Sequence, residues 1–441
     1  MTSKYLGSTE GLTVISADDQ SVTYITSEYN SGVQVGDIKL AALSDTDATN
    51  VVGSELVTNG TFDTDVSGWT LSEGDGTIAY SSGTAVVTYG TAPTSFQQTF
   101  ATVIGKTYTI TATLTGGTSS IRQFYYKDSS DVSVPVNDNP SIPQSSTFTA
   151  TTTTLKVWMR VAGSGTGTYD NISVRLADQD RSVNANGLQV HGTITKTPVA
   201  TGADLVGYSG FSSSNYLEQP YNSDLDFGTG DFSVMGWVNL TATGSTEGIF
   251  TRGDNLTGAY IWLRETAGIL TLKVSDDSNA TSDSVSTATL PTGVWHLITF
   301  GKRDNTYFID VNNTSVSTPV SAAAATLSNT SATLILGLEF NGSGAVNGSL
   351  ALFRISATAP SAQQIKDIYE AERPLFNENA QAALYGTSDS VTALAHDSDT
   401  NLLHVGTSAG RSVFQGLQRV DNTTTAVGSA ISASNGLVVE D

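Results

Sequence analysis

Three kinds of residues in this sequence could do chemistry: a serine on a glycine-rich turn, paired aromatic and basic side chains, and clustered carboxylates. The serine lies in GTSAG (406–410), which matches the Gly-x-Ser-x-Gly pattern of a nucleophile elbow. Such an elbow joins a strand to a helix, and its base histidine comes later in the chain. Here the strand-like RSVFQGL (411–417) follows, and no histidine lies beyond His404. We therefore reject a hydrolase site at this position.

The histidines and the other glycine-rich stretches offer no catalytic site either. GSGTGTYD (163–170) lacks the strand and helix that flank a nucleotide-binding glycine motif. The four histidines show no metal-ligand spacing: His191, His296, His396 and His404. The sequence therefore predicts a binding or structural protein and not an enzyme.

The aromatic and basic side chains lie on a predicted strand, LKVWMRV (155–161). Alternation places its aliphatic residues on one face, which we expect to be the core, and Trp158 and Arg160 on the other. An outward face is an unusual place for a tryptophan unless something covers it. IRQFYYK (121–127) is interpreted as a neighbouring strand. We predict a ligand-binding surface formed by four residues: Trp158, Arg160, Arg122 and Tyr126.

This prediction has an alternative, in which Trp158 packs beneath a loop or against another domain. A second candidate surface follows from YIWLRE (260–265). There Trp262 and Arg264 alternate with aliphatic residues, so we expect both to face outward.

The carboxylates cluster in acidic turns such as DTDVSG (63–68), which is similar to the start of an EF-hand loop. The twelfth position of that loop would be Gly74 instead of the required glutamate, so we reject an EF-hand. The remaining interpretations are a metal site of another kind and an acidic turn before Trp69.

Strands must position almost all of these residues. Short segments with alternating apolar and polar residues recur between clusters of Gly, Asn, Asp and Ser, as in YTITATL (108–114) and LTLKVS (270–275). This pattern predicts an all-β fold of sandwiches or barrels. One short helix is predicted near 361–373, where Ser361 and Gln364 form a capping-box pair.

The composition is typical of a folded, polar β protein. Charged residues form 14% of the 441 residues, against roughly 25% in an average soluble domain. The net charge of −22 repels nucleic acids and anionic membranes, so we expect neither as a partner. Cysteine is absent, so stability must come from core burial, bound metal or oligomerisation. No secretory signal or membrane-spanning apolar run is visible.

Residues 54–177 resemble carbohydrate-binding modules of the jelly-roll, galactose-binding-like type. The resemblance rests on the opening NGTFD (59–63) followed by Gly-Trp (68–69), and on the closing DNISV (170–174). In that family a structural calcium ties the first strand to the last.

The resemblance implies where such a calcium would bind. By position it implicates Asp63 and Asp170, with a backbone carbonyl near Thr61. Carboxylate and carbonyl oxygens are the ligands that calcium takes.

Residues 206–374 resemble the laminin-G-like, concanavalin A-like jelly roll. The carried residues are GDFS (230–233) with Trp237, then VWH (294–296), and a last strand that leads into the helix. Some members of this fold are glucanases with E-x-D-x-x-E on one strand, and this sequence has no such triplet. The family often has Asp-Gly where this chain has Asp310 followed by valine.

The two ends of the chain resemble each other. YLGSTEGLTVI (5–15) and HVGTSAGRSVF (404–414) share two glycines and a valine at matching positions. The order of strands and turns resembles β-propeller blades. One chain supplies about two blades and a ring needs at least four, so we hypothesise that several chains close a ring, most simply a trimer. The alternatives are a chance match in Gly/Ser/Thr-rich sequence and a simple β-extension.

These observations predict two jelly-roll sandwiches inserted between propeller-blade-like end segments. The predicted pieces are an N-terminal segment, the first sandwich, a connector with one strand at 187–194, the second sandwich and a C-terminal segment: 1–53, 54–177, 178–205, 206–374 and 375–441.

The end segments also resemble tail-fibre-like proteins of tailed bacteriophages. Lectin-like modules normally work outside cells, and a virion protein released by lysis needs no signal peptide. We therefore expect a virion protein that binds host-surface glycans and other virion proteins. The alternatives are a bacterial cell-surface polysaccharide-binding protein and a purely structural capsid or tail decoration protein.

Overall fold

The computed structural model describes the following residues: 4–8, 11–15, 21–25, 33–127, 134–137, 144–182, 184, 186–254, 258–277, 281–317, 320–322, 326–386 and 391–441. They form strands, one α-helix and two short 3-10 helices, so the all-β fold class is confirmed. None of the helices in this described part is long and apolar enough to cross a bilayer.

The N-terminal strands form an antiparallel sheet in the order β1-β2-β3-β4. In this described part they pair only with one another. The two strands that follow leave this sheet. The six strands are β1 (Lys4–Ser8), β2 (Gly11–Ile15), β3 (Ser21–Ile25), β4 (Val33–Val35), β5 (Ile38–Ala42) and β6 (Val51–Gly53).

The first sandwich packs two five-stranded antiparallel sheets, β13-β12-β15-β10-β7 and β14-β11-β16-β9-β8. Its core contains Trp69, Phe124 and the inward aliphatic residues of β15. Its strands are β7 (Thr70–Glu73), β8 (Thr77–Ser81), β9 (Thr84–Thr88), β10 (Thr94–Ala101), β11 (Thr107–Gly116), β12 (Arg122–Lys127), β13 (Val134–Asn137), β14 (Gln144–Thr149), β15 (Thr154–Val161) and β16 (Thr166–Asp178).

The second sandwich supplies the largest core. Its strands are β17 (Leu188–Pro198), β18 (Val206–Ser209), β19 (Tyr216–Gln219), β20 (Phe232–Leu240), β21 (Thr246–Arg252), β22 (Tyr260–Thr266), β23 (Ile269–Ser275), β24 (Thr281–Thr289), β25 (His296–Arg303), β26 (Thr306–Val311), β27 (Thr314–Ser315), β28 (Val320–Ser321), β29 (Leu334–Leu336) and β30 (Gly348–Ser356). One sheet runs β17-β19-β29-β21-β22-β23-β24 and the other β5-β30-β20-β25-β26.

Residues 38–53 correct the expectation that they belong to the N-terminal module. Strand β5 pairs with β30, and its Leu40 is fully buried in the core of the second sandwich. Strand β6 pairs with β17, which extends beyond the strand predicted at 187–194. Most apolar residues of β5 are buried in this position, which stabilises the pairing with the second sandwich. The first sandwich is thus an insertion in the second, between β6 and β17.

The predicted helix is confirmed as α1 (Ala362–Glu372), with both hydrogen bonds of the Ser361–Gln364 capping box. It buries Ile365 and Ile368 against the second sandwich. Its last residue, Glu372, is fully buried, forms an ion pair with Arg354 and accepts the indole N–H of Trp237 at 2.7 Å. The 3-10 helices span Ser223–Leu225 and Arg373–Phe376.

The C-terminal segment forms a second antiparallel sheet, β31-β32-β33-β34, and a hairpin, β35-β36. Its strands are β31 (Val391–Asp397), β32 (Leu402–Thr407), β33 (Gly410–Gln415), β34 (Gln418–Asn422), β35 (Ile431–Ser434) and β36 (Leu437–Glu440). GTSAG forms the tight turn between β32 and β33. A strand follows this turn, whereas a helix would follow a nucleophile elbow.

The matching end phrases fold in the same register. Tyr5 pairs with Val14 and Ser8 with Gly11, while the equivalent His404 pairs with Val413 and Thr407 with Gly410. Residues 9–10 lie outside the described residues. In the described part of the chain no strand pairing joins the two end sheets.

Candidate functional site

The outer face of the β7-β10-β15-β12-β13 sheet presents aromatic and polar side chains. Along β15 the predicted alternation is confirmed, because Val157 and Met159 are fully buried whereas Trp158 and Arg160 point outward and stay partly exposed. The strand register sets Trp158 opposite Tyr125 of β12 on one side and Gln97 of β10 on the other.

Trp158 and Tyr125 form a stacked pair. Their ring centroids lie 5.0 Å apart and their planes differ by 14°. The indole N–H of Trp158 and the side-chain amide of Gln97 make no hydrogen bond with any residue that the structure describes. We call Tyr125, Trp158, Gln97, Gln123 and Arg160 the aromatic platform.

Arg160 is held in place by its neighbours on the platform. It donates to Gln123 Oε1 at 2.8 Å and forms an ion pair with Glu73 Oε2 at 3.1 Å. Glu73 Oε2 also accepts the Ser95 hydroxyl at 2.9 Å. The hydrogen bond from Arg160 lowers the pKa of Glu73, against the raising effect of burial. Burial raises the pKa of Tyr125, so both groups keep their ordinary charge near pH 7.

The structure places Arg122 and Tyr126 on the opposite face of β12. Tyr126 is buried in the core and stacks on Phe148 at 4.8 Å. Arg122 donates to the backbone oxygen of Gly117 at 3.3 Å. Because side chains alternate, only one of the two adjacent tyrosines can face Trp158, and it is Tyr125. The sequence signal that separates them is the apolar Phe124, which shares a strand face with Tyr126.

Trp262 and Arg264 do not form an open surface. Trp262 is only 2% exposed and lies between the rings of Tyr260 at 3.9 Å and Phe340 at 4.5 Å. Its indole N–H donates to Gly253 O at 2.8 Å. Arg264 stacks on the same indole at 4.3 Å and forms an ion pair with Glu339 at 2.8 Å. The loop that carries Glu339 and Phe340 therefore covers the second candidate.

Asp63 and Asp170 lie close enough to interact. Burial, and in addition the charge of Asp63, raises the pKa of Asp170. Asp63 accepts the Thr61 hydroxyl at 3.0 Å, and Asp170 accepts the backbone N–H of Asn171 at 2.7 Å. In the described residues no group of three or more His, Cys, Asp and Glu side chains could hold a metal. Two carboxylates fit calcium if backbone carbonyls and water complete its coordination.

Comparison with known proteins bears on the second sandwich. Residues 211–366 match the model of the concanavalin A-like lectin/glucanases superfamily. This match confirms the resemblance predicted for that part of the chain and its concanavalin A-like fold. No curated protein sequence matches the chain.

Several solved structures are similar to the chain at low identity. The binding domain of Paraclostridial Mosquitocidal Protein 1 is 15% identical, with 52% of this chain and 61% of that chain covered and a TM-score of 0.38. Domain 4 of the Geobacillus stearothermophilus arabinanase AbnA, solved with arabinotriose, is 17% identical, with 43% of this chain and 92% of that chain covered and a TM-score of 0.36. The receptor binding domain of botulinum neurotoxin C/D mosaic serotype is 13% identical, with 56% of this chain and 60% of that chain covered and a TM-score of 0.38. The chain thus spans less than two thirds of both toxin domains.

Because the superfamily includes glucanases, facing carboxylates in the concanavalin A-like sandwich are candidates for a hydrolytic pair. Glu247 and Glu265 face each other across β21 and β22. They are 4% and 0% exposed, and the Glu265 carboxylate accepts the Gly268 N–H. Burial raises the pKa of both carboxyls. This depth keeps them from a polysaccharide chain, which does not suit glycoside hydrolysis. Because the two glutamates lie on different strands, no local sequence motif predicts that they face each other.

Proposed function

We propose that the chain is a non-catalytic glycan-binding protein and that the aromatic platform is its principal site. The proposal rests on a difference between Trp158 and the other four of the five tryptophans in the chain. Trp69, Trp237, Trp262 and Trp295 each donate their indole N–H to a protein oxygen. Trp158 has no such partner among the described residues, and it faces outward.

The chemistry of the platform suits a sugar. The apolar C–H face of a pyranose stacks on an aromatic surface, and its hydroxyls need donors and acceptors at the edge of that surface. The Tyr125–Trp158 pair supplies the surface, and the free Gln97 amide and the Trp158 N–H supply edge groups. The contacts of Arg160 with Glu73 and Gln123 preorganise the polar rim, which lowers the entropy cost of binding.

A glycan array with the whole chain tests this function. We expect binding to at least one glycan class, and loss of most of that signal in Trp158→Ala and in Tyr125→Ala. Tyr80→Ala is the matched control, because it removes an exposed aromatic ring from the other sheet of the same sandwich. Absence of binding by the wild-type chain, or full binding by Trp158→Ala, would contradict the proposal.

The biological setting is also a proposal: a tailed-phage virion protein that displays its sandwiches to host-surface glycans. It is supported by the lectin class of the second sandwich and by two end sheets that share one register. Under this proposal the ends attach to other virion proteins or oligomerise. A structural calcium held by Asp63 and Asp170 would fix the start of the first sandwich to its end. Electron microscopy of the assembled particle tests the location.

A homotrimer is the assembly that we propose for the end sheets, which would contribute six blades to one ring. The exposed apolar residues Leu437 and Val439 of β36, at 75% and 72% exposure, support a contact between chains. Light scattering at micromolar concentration measures the mass. A mass of three chains is expected, and a monomer would contradict the ring.

A further inference from the structure

A cavity of about 560 Å³ opens between the two sandwiches. Strands β11 and β16 of the first sandwich line one wall, and β17, β19 and the residues before β29 line the other. Only two residue pairs join β16 to β17, so the sheets diverge beyond them. We call this cavity the interdomain groove. It lies against the sheet of the first sandwich that does not carry the aromatic platform.

The charged side chains of the groove are paired with one another. Glu55 forms an ion pair with Arg175 at 3.2 Å and accepts the Ser173 hydroxyl at 2.6 Å. His191 lies 2.9 Å from the Glu218 carboxylate and stacks on Tyr216 at 4.3 Å. Each of these charged or ionisable side chains therefore already has a protein partner in the groove.

Three threonine hydroxyls in the groove are free. Thr111, Thr113 and Thr333 line the cavity and are partly buried. Their hydroxyls make no hydrogen bond with any residue that the structure describes. Each can both donate and accept a hydrogen bond, as the hydroxyls of a sugar can. Partly buried groups without a protein partner are satisfied by water or by a ligand.

We propose that the interdomain groove is a second binding site, which takes an uncharged oligosaccharide segment. The volume lies within the roughly 300–1,000 Å³ of small-molecule sites, and interfaces between domains are common places for them. The free hydroxyls match a polyhydroxylated ligand, and the charged side chains of the groove already have protein partners. The inference rests on the proposed glycan binding of the chain but not on the aromatic platform.

Isothermal titration of the full chain with cello-, malto-, manno-, xylo- and arabinotetraose tests the groove. Trp158→Ala removes the platform, so any remaining binding reports on other sites. In that background Thr111→Val with Thr113→Val removes two hydroxyls and keeps β-branched strand residues. The control in the same background, Thr111→Ser with Thr113→Ser, keeps both hydroxyls.

We expect Trp158→Ala to bind one of these tetrasaccharides at one site per chain, the two valines to weaken it at least tenfold, and the two serines to leave it within threefold. Absence of binding by Trp158→Ala, or equal affinity for the valine variant, overturns the groove. If the wild type binds and Trp158→Ala does not, the platform stands and the groove fails. If Trp158→Ala binds these tetrasaccharides like the wild type, the platform does not bind them and the valine pair decides the groove.

Discussion

Each sandwich carries a tryptophan followed two residues later by an arginine, on a strand face that points away from its core. Arg160 and Arg264 each form an ion pair with a glutamate from another part of the chain. The surroundings of the two tryptophans differ. Trp158 is partly exposed and keeps its indole N–H free, whereas Trp262 is covered by Phe340 and donates its N–H to Gly253.

A strand pattern therefore fixes which face a side chain occupies but not what covers that face. Alternation is local, and it is correct for both tryptophans. The cover comes from the loop that holds Glu339 and Phe340, which lie 77 and 78 residues beyond Trp262 in the chain. One Trp-x-Arg arrangement thus serves packing in the second sandwich, and we propose that the other serves binding.

The largest expected effect is on stability and separates the two tryptophans directly. Trp262→Ala should lower the free energy of unfolding by about 3–5 kcal/mol, because it leaves a large cavity. Trp158→Ala should lower it by about 1 kcal/mol or less, because the ring is partly exposed. Urea denaturation followed by circular dichroism measures both. Equal losses would remove the distinction between a packed and an open tryptophan.

The two ion pairs should differ in the same direction. Glu339→Gln should lower the free energy of unfolding by about 2 kcal/mol. This loss is smaller than for breaking a fully buried ion pair, because Arg264 keeps some exposure. Glu73→Gln should lower the free energy of unfolding by no more than about 1 kcal/mol, because the Glu73 side chain is 47% exposed. The same denaturation experiment compares them, and a larger loss for Glu73→Gln would show that the platform is a packed site.

Much of this arrangement follows from the sequence. The all-β class, the helix at 361–373, the outward faces of Trp158 and Arg160 and the second sandwich were predicted. The sequence predicts Tyr126 beside Trp158 and the structure places Tyr125 there, since a one-residue shift inverts the face and the two tyrosines are adjacent in the chain. The position of β5 and the cover over Trp262 depend on contacts between residues far apart in the chain, which no local pattern encodes.

Removing the cover is a smaller change than removing the tryptophan. Phe340→Ala should lower the free energy of unfolding by about 1–2 kcal/mol, through loss of one stacked, partly exposed ring. It should also expose Trp262 to acrylamide, which is measured as increased quenching of tryptophan fluorescence. Phe340→Leu, which retains apolar cover, is the control. Unchanged quenching would show that another element protects Trp262.

The smallest expected effect is on pH dependence, and it has opposite signs in the two sandwiches. The pKa of Glu73 is lowered, so its contribution is complete above the ordinary value of 4.5 and is lost only as the pH falls through the lowered pKa. The pKa of Glu265 is raised by burial and then by Glu247, so the folded state binds an extra proton as the pH falls toward 4.5.

Between pH 7 and pH 5, glycan affinity should therefore stay constant while the free energy of unfolding of the second sandwich rises slightly. Glu265→Gln mimics the protonated carboxyl and should remove part of that rise. Thermal denaturation across this range checks the sign, and a fall in stability from pH 7 to pH 5 that Glu265→Gln abolishes would contradict it.

A crystal structure of the chain with the glycan that binds best on the array would show whether the aromatic platform holds the sugar. We expect a sugar ring stacked on the Tyr125–Trp158 pair, with its hydroxyls bonded to Gln97 and to the Trp158 indole N–H. A well-occupied glycan bound elsewhere, with the platform empty, would contradict the claim.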